Sequence, residues 1–450
     1  MVGTMKIGFI AMSGVRAYNR ELTELGLTLP GFVERNKVIA SLPSLGLLTL
    51  AGMTPGGFDV AYLEVSDITE VDGVPAEFDV VAISSFTAQI KEAYQLADRY
   101  RALGTTVVLG GLHVTARPVE AIAHADSIII GEGETLWPVL LADLNRGELR
   151  QIYDARGTSF DFSGAPMPRF ELLDIERYNR LTVQTQRGCP FRCEFCAASM
   201  RISSVYKVKP VEKVIEEIRR IKDIWPHPFI EFADDNTFAN RKHGKKLMRA
   251  LAAEHVRWFT ETDVSVAEDE ELLKLMREAG CAQILIGLES PSHSGLDGLE
   301  QRANWKARQR DRYLRAIDRI QSQGITVNGC FILGLDGSGT ESFEEIWDFV
   351  RASGLYEIQL TVQTAFPGTP LYDRLSREDR LLRKGAWELC TLFDVNFRPS
   401  NMTVSELEAG LRSLAAKVYS RDFTQERRDR FFARLSSKSR QISEIQEEPA

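Results

Sequence analysis

Two stretches of this chain repeat one pattern, a short apolar run followed by a longer amphipathic one, and few folds accommodate it. In the first, residues 6–11, 59–65, 80–84, 106–109 and 127–130 read as strands, and 45–53, 89–103 and 134–144 as helices. In the second, 182–186, 229–233, 258–262, 283–288, 326–333 and 357–364 read as strands, alternating with helices over 210–224, 242–254, 269–279, 306–323 and 342–353. Glycines 280, 324 and 354 stop three of these helices. Such alternation implies parallel sheets covered on both faces. Six strand–helix units are too few to close an eight-fold barrel, so the second stretch is expected to form an open, partial (β/α)6 barrel.

Four parts follow: an α/β domain over 1–145, a connector over 146–180, the barrel over 181–375 and a helical region over 376–450. The connector carries Gly147, Gly157, Gly164, Pro166 and Pro168 with little periodicity, while Phe160, Phe162, Phe170 and Leu172 suit a segment draped over a sheet. Residues 404–418 form an amphipathic helix, and the charged stretch 436–450 is expected to fray or be disordered. With 450 residues the chain can build two or three real cores. The 55 basic and 63 acidic residues leave a net charge of −8 with no long basic stripe, which disfavours nucleic acid as a partner. No apolar run reaches bilayer-spanning length. The opening Met-Val-Gly-Thr-Met-Lys leads into a strand, so no signal peptide is expected. Six unevenly placed cysteines argue against a disulfide framework and suit a reducing cytoplasm.

Half of those cysteines fall in one run, Arg187-Gly-Cys-Pro-Phe-Arg-Cys-Glu-Phe-Cys196. Cys189, Cys193 and Cys196 are spaced Cys-x3-Cys-x2-Cys. Three thiolates can hold three irons of a four-iron cluster and leave the fourth open to a substrate. Electron-transfer clusters normally take four cysteines, and structural zinc wants four closed ligands. The competing readings are a zinc site with a distant fourth ligand, or three unconnected thiols. No paired Cys-x2-Cys or Cys/His arms are visible to support zinc. Cys281 and Cys330 read as small core residues, and no auxiliary cluster is indicated.

Three strands of the first domain end in turn chemistry: Ser84-Ser85-Phe86-Thr87, Gly110-Gly111-Leu112-His113 and Gly131-Glu132-Gly133-Glu134. Ligands of open α/β sheets bind at that edge, and glycine lets the backbone approach them closely. The Gly-x-Gly-x-x-Gly fingerprint is missing, so a dinucleotide is not favoured. Tight strand–helix turns are the plainer alternative.

The cysteine run resembles the cluster loop of the radical S-adenosylmethionine (SAM) superfamily. That resemblance implies a [4Fe-4S] cluster whose open iron binds SAM, with Phe195 against the adenine. Phe232-Ala-Asp234-Asp235-Asn236 and Ile286-Gly-Leu-Glu289-Ser290 resemble the family's SAM-contacting strand ends, and Asn328 to Gly334 resembles the segment beneath the adenine. Capping or Asx-turn roles compete for Asp235 and Asn236, and a neighbouring arginine competes for Glu289. Thr364-Ala-Phe-Pro-Gly-Thr-Pro-Leu-Tyr372 resembles the signature after the sixth strand of cobalamin-type members. Leu42 to Ala51, Gly110-Gly-Leu-His113 and Gly131-Glu-Gly-Glu134 look like the Rossmann-like N-terminal cobalamin-binding domain of the same proteins. By that likeness Ser85, Gly110, Gly111, His113, Gly131 and Glu132 contact cobalamin. The chain departs from corrinoid domains that ligate cobalt through Asp-x-His-x-x-Gly, since none of its six histidines sits in that frame. His113 is then a turn residue or a contact to the corrin edge.

The resemblance implies a cytoplasmic radical SAM enzyme that methylates an unactivated carbon of a small-molecule or lipid-like substrate, using a 5'-deoxyadenosyl radical and methylcobalamin. A flavodoxin- or ferredoxin-type protein would supply electrons. Ring formation, rearrangement or oxidation with the same cofactors is the alternative. A methylthiotransferase would need cluster cysteines before Cys189, and a sensor without turnover would not need intact SAM loops.

Overall fold

The computed structural model describes residues 4–15, 17–18, 42–197, 203 and 205–447, with side chains as far as 436. Met1 to Gly3, which enter the leader expectation, and the last three residues of the tail lie outside the described residues.

The first sheet has six parallel strands. Their order across the sheet is Phe58–Val65, Met5–Met12, Val80–Ser85, Thr106–Gly110, Ser127–Ile130 and Ile152–Asp154. The direction of winding reverses between Met5–Met12 and Val80–Ser85, and the carboxyl ends beside that reversal are where such sheets bind ligands. Both faces are buried. Ile7, Phe9, Val80, Ala82, Val108 and Ile129 pack on one side against Leu47, Leu48, Trp137 and Leu140. Ile10, Val81, Ile83, Leu109 and Ile128 pack on the other against Ile90, Leu96 and Tyr100. This explains why the strands read as continuous apolar runs.

The connector does more than drape. Ile152–Asp154 pairs with Ser127–Ile130 and extends the sheet by a strand. Beyond it Phe162 and Phe170 are buried, and the Arg169 amide donates to the Leu48 carbonyl at 3.0 Å.

The second sheet is also parallel and runs in chain order: Leu181–Val183, Phe229–Phe232, Arg257–Thr262, Cys281–Glu289, Thr326–Leu333 and Glu357–Val362. Helices cover its outside, which gives the open six-unit barrel. The apolar face of the first sheet and the barrel's outer core form one continuous cluster, so the two domains share buried surface.

Two expectations are corrected. The helix read over 306–323 is broken into Trp305–Gln309, a tight turn at Arg310–Arg312 and Tyr313–Gln321. Its first turn is tethered to the barrel mouth, because Lys306 reaches the Gly287 carbonyl and Arg310 reaches the Pro291 carbonyl. Arg421–Glu447 is one helix, so the charged tail is helical as far as Glu447. It is held by buried Arg427, which donates to the Tyr356 carbonyl at 2.8 Å, by buried Phe431, and by Arg434 against Asp318 at 3.0 Å. The helix Val404–Val418 has the expected ends, with a Thr403/Glu406 capping box. No described helix is long and apolar enough to cross a membrane.

Candidate functional site

The chain leaves the strand Leu181–Val183 and enters the cysteine loop through a short antiparallel pairing of Gln186–Arg187 with Lys207–Val208. Gly188 then turns with φ +88°, and a Cβ there would stand 3.3 Å from the Tyr206 Cα, so only glycine fits. Asp234, at the end of the neighbouring strand, fixes this approach. Its carboxylate accepts from the Thr185 and Gln186 amides at 2.8 and 3.0 Å and from the Thr185 and Thr237 hydroxyls. Burial raises its pKa to about 6 against the pull of these donors. Asn236 is equally engaged, with Asp263 and Thr262. Asp235, between them, is half-buried and within electrostatic reach of Cys189. Of the Asp-Asp-Asn run, two residues therefore build the loop's foundation and the middle one lies beside the thiols.

Two other segments hold the loop. Buried Glu300 receives the Arg192, Arg302 and Ala303 amides, backbone bonds join Glu194 to Leu299 and Gln301 to Arg192, and Phe191 stacks on Trp305 at 4.3 Å. From the C-terminal side, the helix Pro370–Arg377 sends Arg374 to Glu194 at 2.6 and 2.9 Å, while the Leu371 amide donates to the Glu194 carbonyl. Thr369 caps that helix, and Gly368 lies so close to Ala116 of the first domain that a Cβ would meet it at 3.0 Å. This gives the Pro-Gly-Thr-Pro-Leu-Tyr segment a structural meaning: it clasps cluster loop and first domain together.

Cys189, Cys193 and Cys196 are half-buried on this loop, and the Cys193 thiol feels both others. Burial pushes the Cys193 thiol up to about 12 and raises Cys189. Among the described residues no three His, Cys, Asp or Glu side chains are placed to hold a single metal ion. A cluster asks for something different, since each thiolate binds its own iron. Three neighbouring but separate thiols fit that need.

Lys306 lies above the loop. It donates to Glu289 at 2.6 Å and to the Gly287 carbonyl at 2.9 Å. Burial opposes its charge, but Glu289 and nearby Cys193 raise its pKa all the same. Glu289 thus has a lysine partner where an arginine was the expected competitor, and it adopts φ +60° at a register shift in the strand. Buried Ser290 bonds Ser292. Phe195 packs part-buried on the barrel core. Gly334 faces away from the loop, since a Cβ would strike Leu407 of the C-terminal helix at 2.8 Å. Sequence reading missed Glu261, an exposed carboxylate on the barrel strand Arg257–Thr262. The surrounding protein mass, which desolvates it in part, and then the like charges of Glu231, Asp235 and Glu289 raise its pKa.

At the carboxyl edge of the first sheet a largely apolar hollow of about 270 Å³ is lined by Ser84, Gly110, Gly111 and Gly131, by Leu47, Leu50 and Trp137, and by Gln184, Arg187, Lys209 and Ala233 of the barrel. Gly111 has φ +108° and Gly131 φ +86°, and a Cβ there would stand 3.0 Å from the Ser84 Oγ and 3.3 Å from the Ala155 Cβ, so both turns call for glycine. Ser84, not Ser85, lines the hollow; Ser85 bonds the Phe86 carbonyl. His113 is not on it. It lies in a short helix, sealed among Thr87, Glu120, Tyr94 and Trp387. Nor does Glu132 line it: its carboxylate turns to Arg187 at 2.8 Å and Lys207 at 2.5 Å. Both turns place glycine backbone on the hollow, while the side chains of His113 and Glu132 serve the joint between domains.

An open barrel with a three-thiol loop at its mouth, facing a glycine-edged Rossmann-like sheet, defines a radical SAM protein with a corrinoid-type domain. Family profiles agree: "Radical SAM superfamily" matches residues 183–350, "B12 binding domain" 35–141 and "Domain of unknown function (DUF4070)" 369–448. A relative named an uncharacterized methyltransferase, from Synechocystis sp., is 30% identical over 80% of this chain and 67% of its own length. The bacteriochlorophyllide d C-12(1)-methyltransferase of Chlorobaculum tepidum is 28% identical over 84% and 83%. The hopanoid C-2 methylase of Rhodopseudomonas palustris is 28% identical over 77% and 66%. Among solved structures, the radical SAM methyltransferase TsrM of Kitasatospora setae, with cobalamin and a [4Fe-4S] cluster bound, superposes with TM-score 0.63 at 15% identity over 84% of this chain and 75% of that one. The cobalamin-dependent enzyme OxsB superposes with TM-score 0.66 at 16% identity over 92% and 66%. The chain belongs to the cobalamin-binding radical SAM superfamily, and its cofactors are a [4Fe-4S] cluster, SAM and cobalamin.

Proposed function

We propose that this protein is a C-methyltransferase acting on an unactivated carbon of a small-molecule or lipid-like substrate. The observation that carries the reading is the meeting of two sites in one space: the glycine-edged hollow is walled on its barrel side by Gln184, Arg187 and Ala233, which flank the cysteine loop and the Asp-Asp-Asn run. When bound, the cluster supplies the electron that cleaves SAM and the corrinoid carries the methyl group. The protein's own part is to hold and orient. Asp234, Glu300 and Arg374 fix the loop of Cys189, Cys193 and Cys196. Phe195, Asp235, Glu289 and Ser290 are the residues we assign to SAM, and Gly110, Gly111 and Gly131 admit the corrinoid. Gly334 acts indirectly, by letting the C-terminal helix close on the last turn of its strand. The lipid-like substrate class draws support from relatives named for hopanoid and bacteriochlorophyllide methylation. A small ferredoxin or flavodoxin as donor and a cytoplasmic setting complete the proposal.

Ring formation is the second reading, favoured by a 24% identical relative named an anaerobic magnesium-protoporphyrin IX monomethyl ester cyclase, from Rubrivivax gelatinosus. Anaerobic, reconstituted protein supplied with cobalamin, a reductant and SAM separates the two. Methyl transfer requires both 5'-deoxyadenosine and S-adenosylhomocysteine. Protein that forms the first and never the second is not a methyltransferase.

A further inference from the structure

We infer that Glu132, Glu134 and Arg187 form a positioning device that sets the spacing and orientation of the corrinoid edge relative to the cluster loop. The inference rests on the reading that both cofactors load. Arg187 lies one residue before the Gly188 turn, so fixing Arg187 aims Cys189. Its guanidinium donates to Glu132 at 2.8 Å, to Glu134 at 2.6 and 3.3 Å and to Gln184 at 2.9 Å, and lies over the Phe162 ring at 4.9 Å. Lys207, paired with Arg187 in the two-residue ribbon, donates to both Glu132 oxygens at 2.5 and 2.7 Å and to the Phe160 carbonyl. The Phe160 amide donates back to Glu132. Two carboxylates thus meet two cations, and their charges cancel.

The carboxylates alternate with Gly131 and Gly133, both of which line the hollow. One four-residue turn therefore gives glycine backbone to the hollow, shares its wall through Glu134 and Arg187, and sends Glu132 to the Arg187–Lys207 ribbon that leads into the cluster loop. Stability alone does not call for this arrangement. Buried ion pairs add little over apolar contacts of the same volume. A bidentate guanidinium fork adds direction, because its donors and the acceptors must stay coplanar. Glu134 remains ionised here: burial opposes its charge, but Arg187 holds its pKa below the ordinary carboxylate value. The domains are also joined elsewhere, through Trp387 and Gly368, so weakening the fork should alter geometry without parting them.

The test uses holoprotein carrying the reduced cluster and cob(II)alamin, two paramagnets whose magnetic coupling reports their separation. Wild-type protein should give one narrow coupling. E134Q at equal cofactor occupancy should give a coupling shifted or at least twofold broader, with iron and cobalt content unchanged. Should E134Q fail to fold, R187K, which keeps the charge and loses the fork, carries the same comparison. Identical coupling in wild type and variant overturns the inference. So does a variant that keeps one cofactor and loses the other, since the fork would then serve one site only. If wild-type protein takes up the cluster but no corrinoid, the functional reading falls instead. The fork is then judged by hydrogen exchange: faster exchange at 131–134 with none at 187–189 in E134Q overturns it, and faster exchange at both supports it.

Discussion

His113 shows how far one residue's identity can mislead. A histidine at the carboxyl edge of a corrinoid-type sheet suggests a contact with the cofactor, yet this one is 1% exposed and meets Trp387 edge-on at 5.2 Å. Burial, with Arg117 nearby, lowers its pKa to about 4 from an ordinary 6.5. The unfolded chain therefore binds a proton at that residue between pH 6.5 and 4 that the folded chain refuses. The stability it confers is fully present above pH 6.5 and is lost as pH falls through 4, a swing of roughly 3 kcal/mol. We predict that H113Q unfolds in denaturant with a smaller stability loss between pH 7 and pH 4 than wild type. Equal losses in the two proteins would refute this. The same limit applies at Glu132 and Glu134. Glycine spacing marked a turn that lines the hollow, because glycine's backbone freedom is a local property. The carboxylates' partner Arg187 is 55 positions from Glu132 and 53 from Glu134, and no local pattern encodes such a pairing.

At the scale of elements the sequence was a good guide wherever burial was complete. Strands such as Val80–Ser85, Thr106–Gly110 and Ser127–Ile130 were legible to within a residue or two, because a strand buried on both faces must be largely apolar. Legibility failed where a tether overrides propensity. Lys306 is drawn to Glu289 and splits a helix of regular period, and Ile152–Asp154 is too short to stand out from a glycine-rich connector. The Pro-Gly-Thr-Pro-Leu-Tyr segment was recognisable by likeness alone; its purpose depends on Arg374, a residue beyond the motif. Arg374 bonds Glu194 in a bidentate manner and Asp336 at 2.7 Å. R374A should destabilise the protein by about 1–3 kcal/mol, the usual cost of a lost charged hydrogen-bonding group. It should also lower the iron retained after anaerobic reconstitution, with R374K restoring part of it. Full iron content in R374A would show that the helix does not hold the cluster loop.

For the molecule as a whole, the question is whether the two sheets behave as one cooperative unit. The segment between the barrel's last strand and its C-terminal helices returns to the first domain and inserts Trp387 there. Its indole donates to Glu120 at 2.9 Å, Arg117 lies over the ring at 5.4 Å, and Tyr372 and His113 flank it. Lys91 and Glu388 add a contact nearby at 2.8 Å. Removing a buried tryptophan costs about 3–5 kcal/mol in lost contacts and cavity. Here the loss falls on the joint and not on either sheet's own core, so it should appear as lost cooperativity. Calorimetry of wild-type protein should give a single transition. W387A should give two, one from each sheet. W387F, which keeps the ring and loses only the bond to Glu120, should stay nearer the wild-type profile. A single transition in W387A, merely moved to lower temperature, would mean that the shared apolar cluster between sheet and barrel couples the domains unaided, and that the C-terminal insertion is a cover and not a brace.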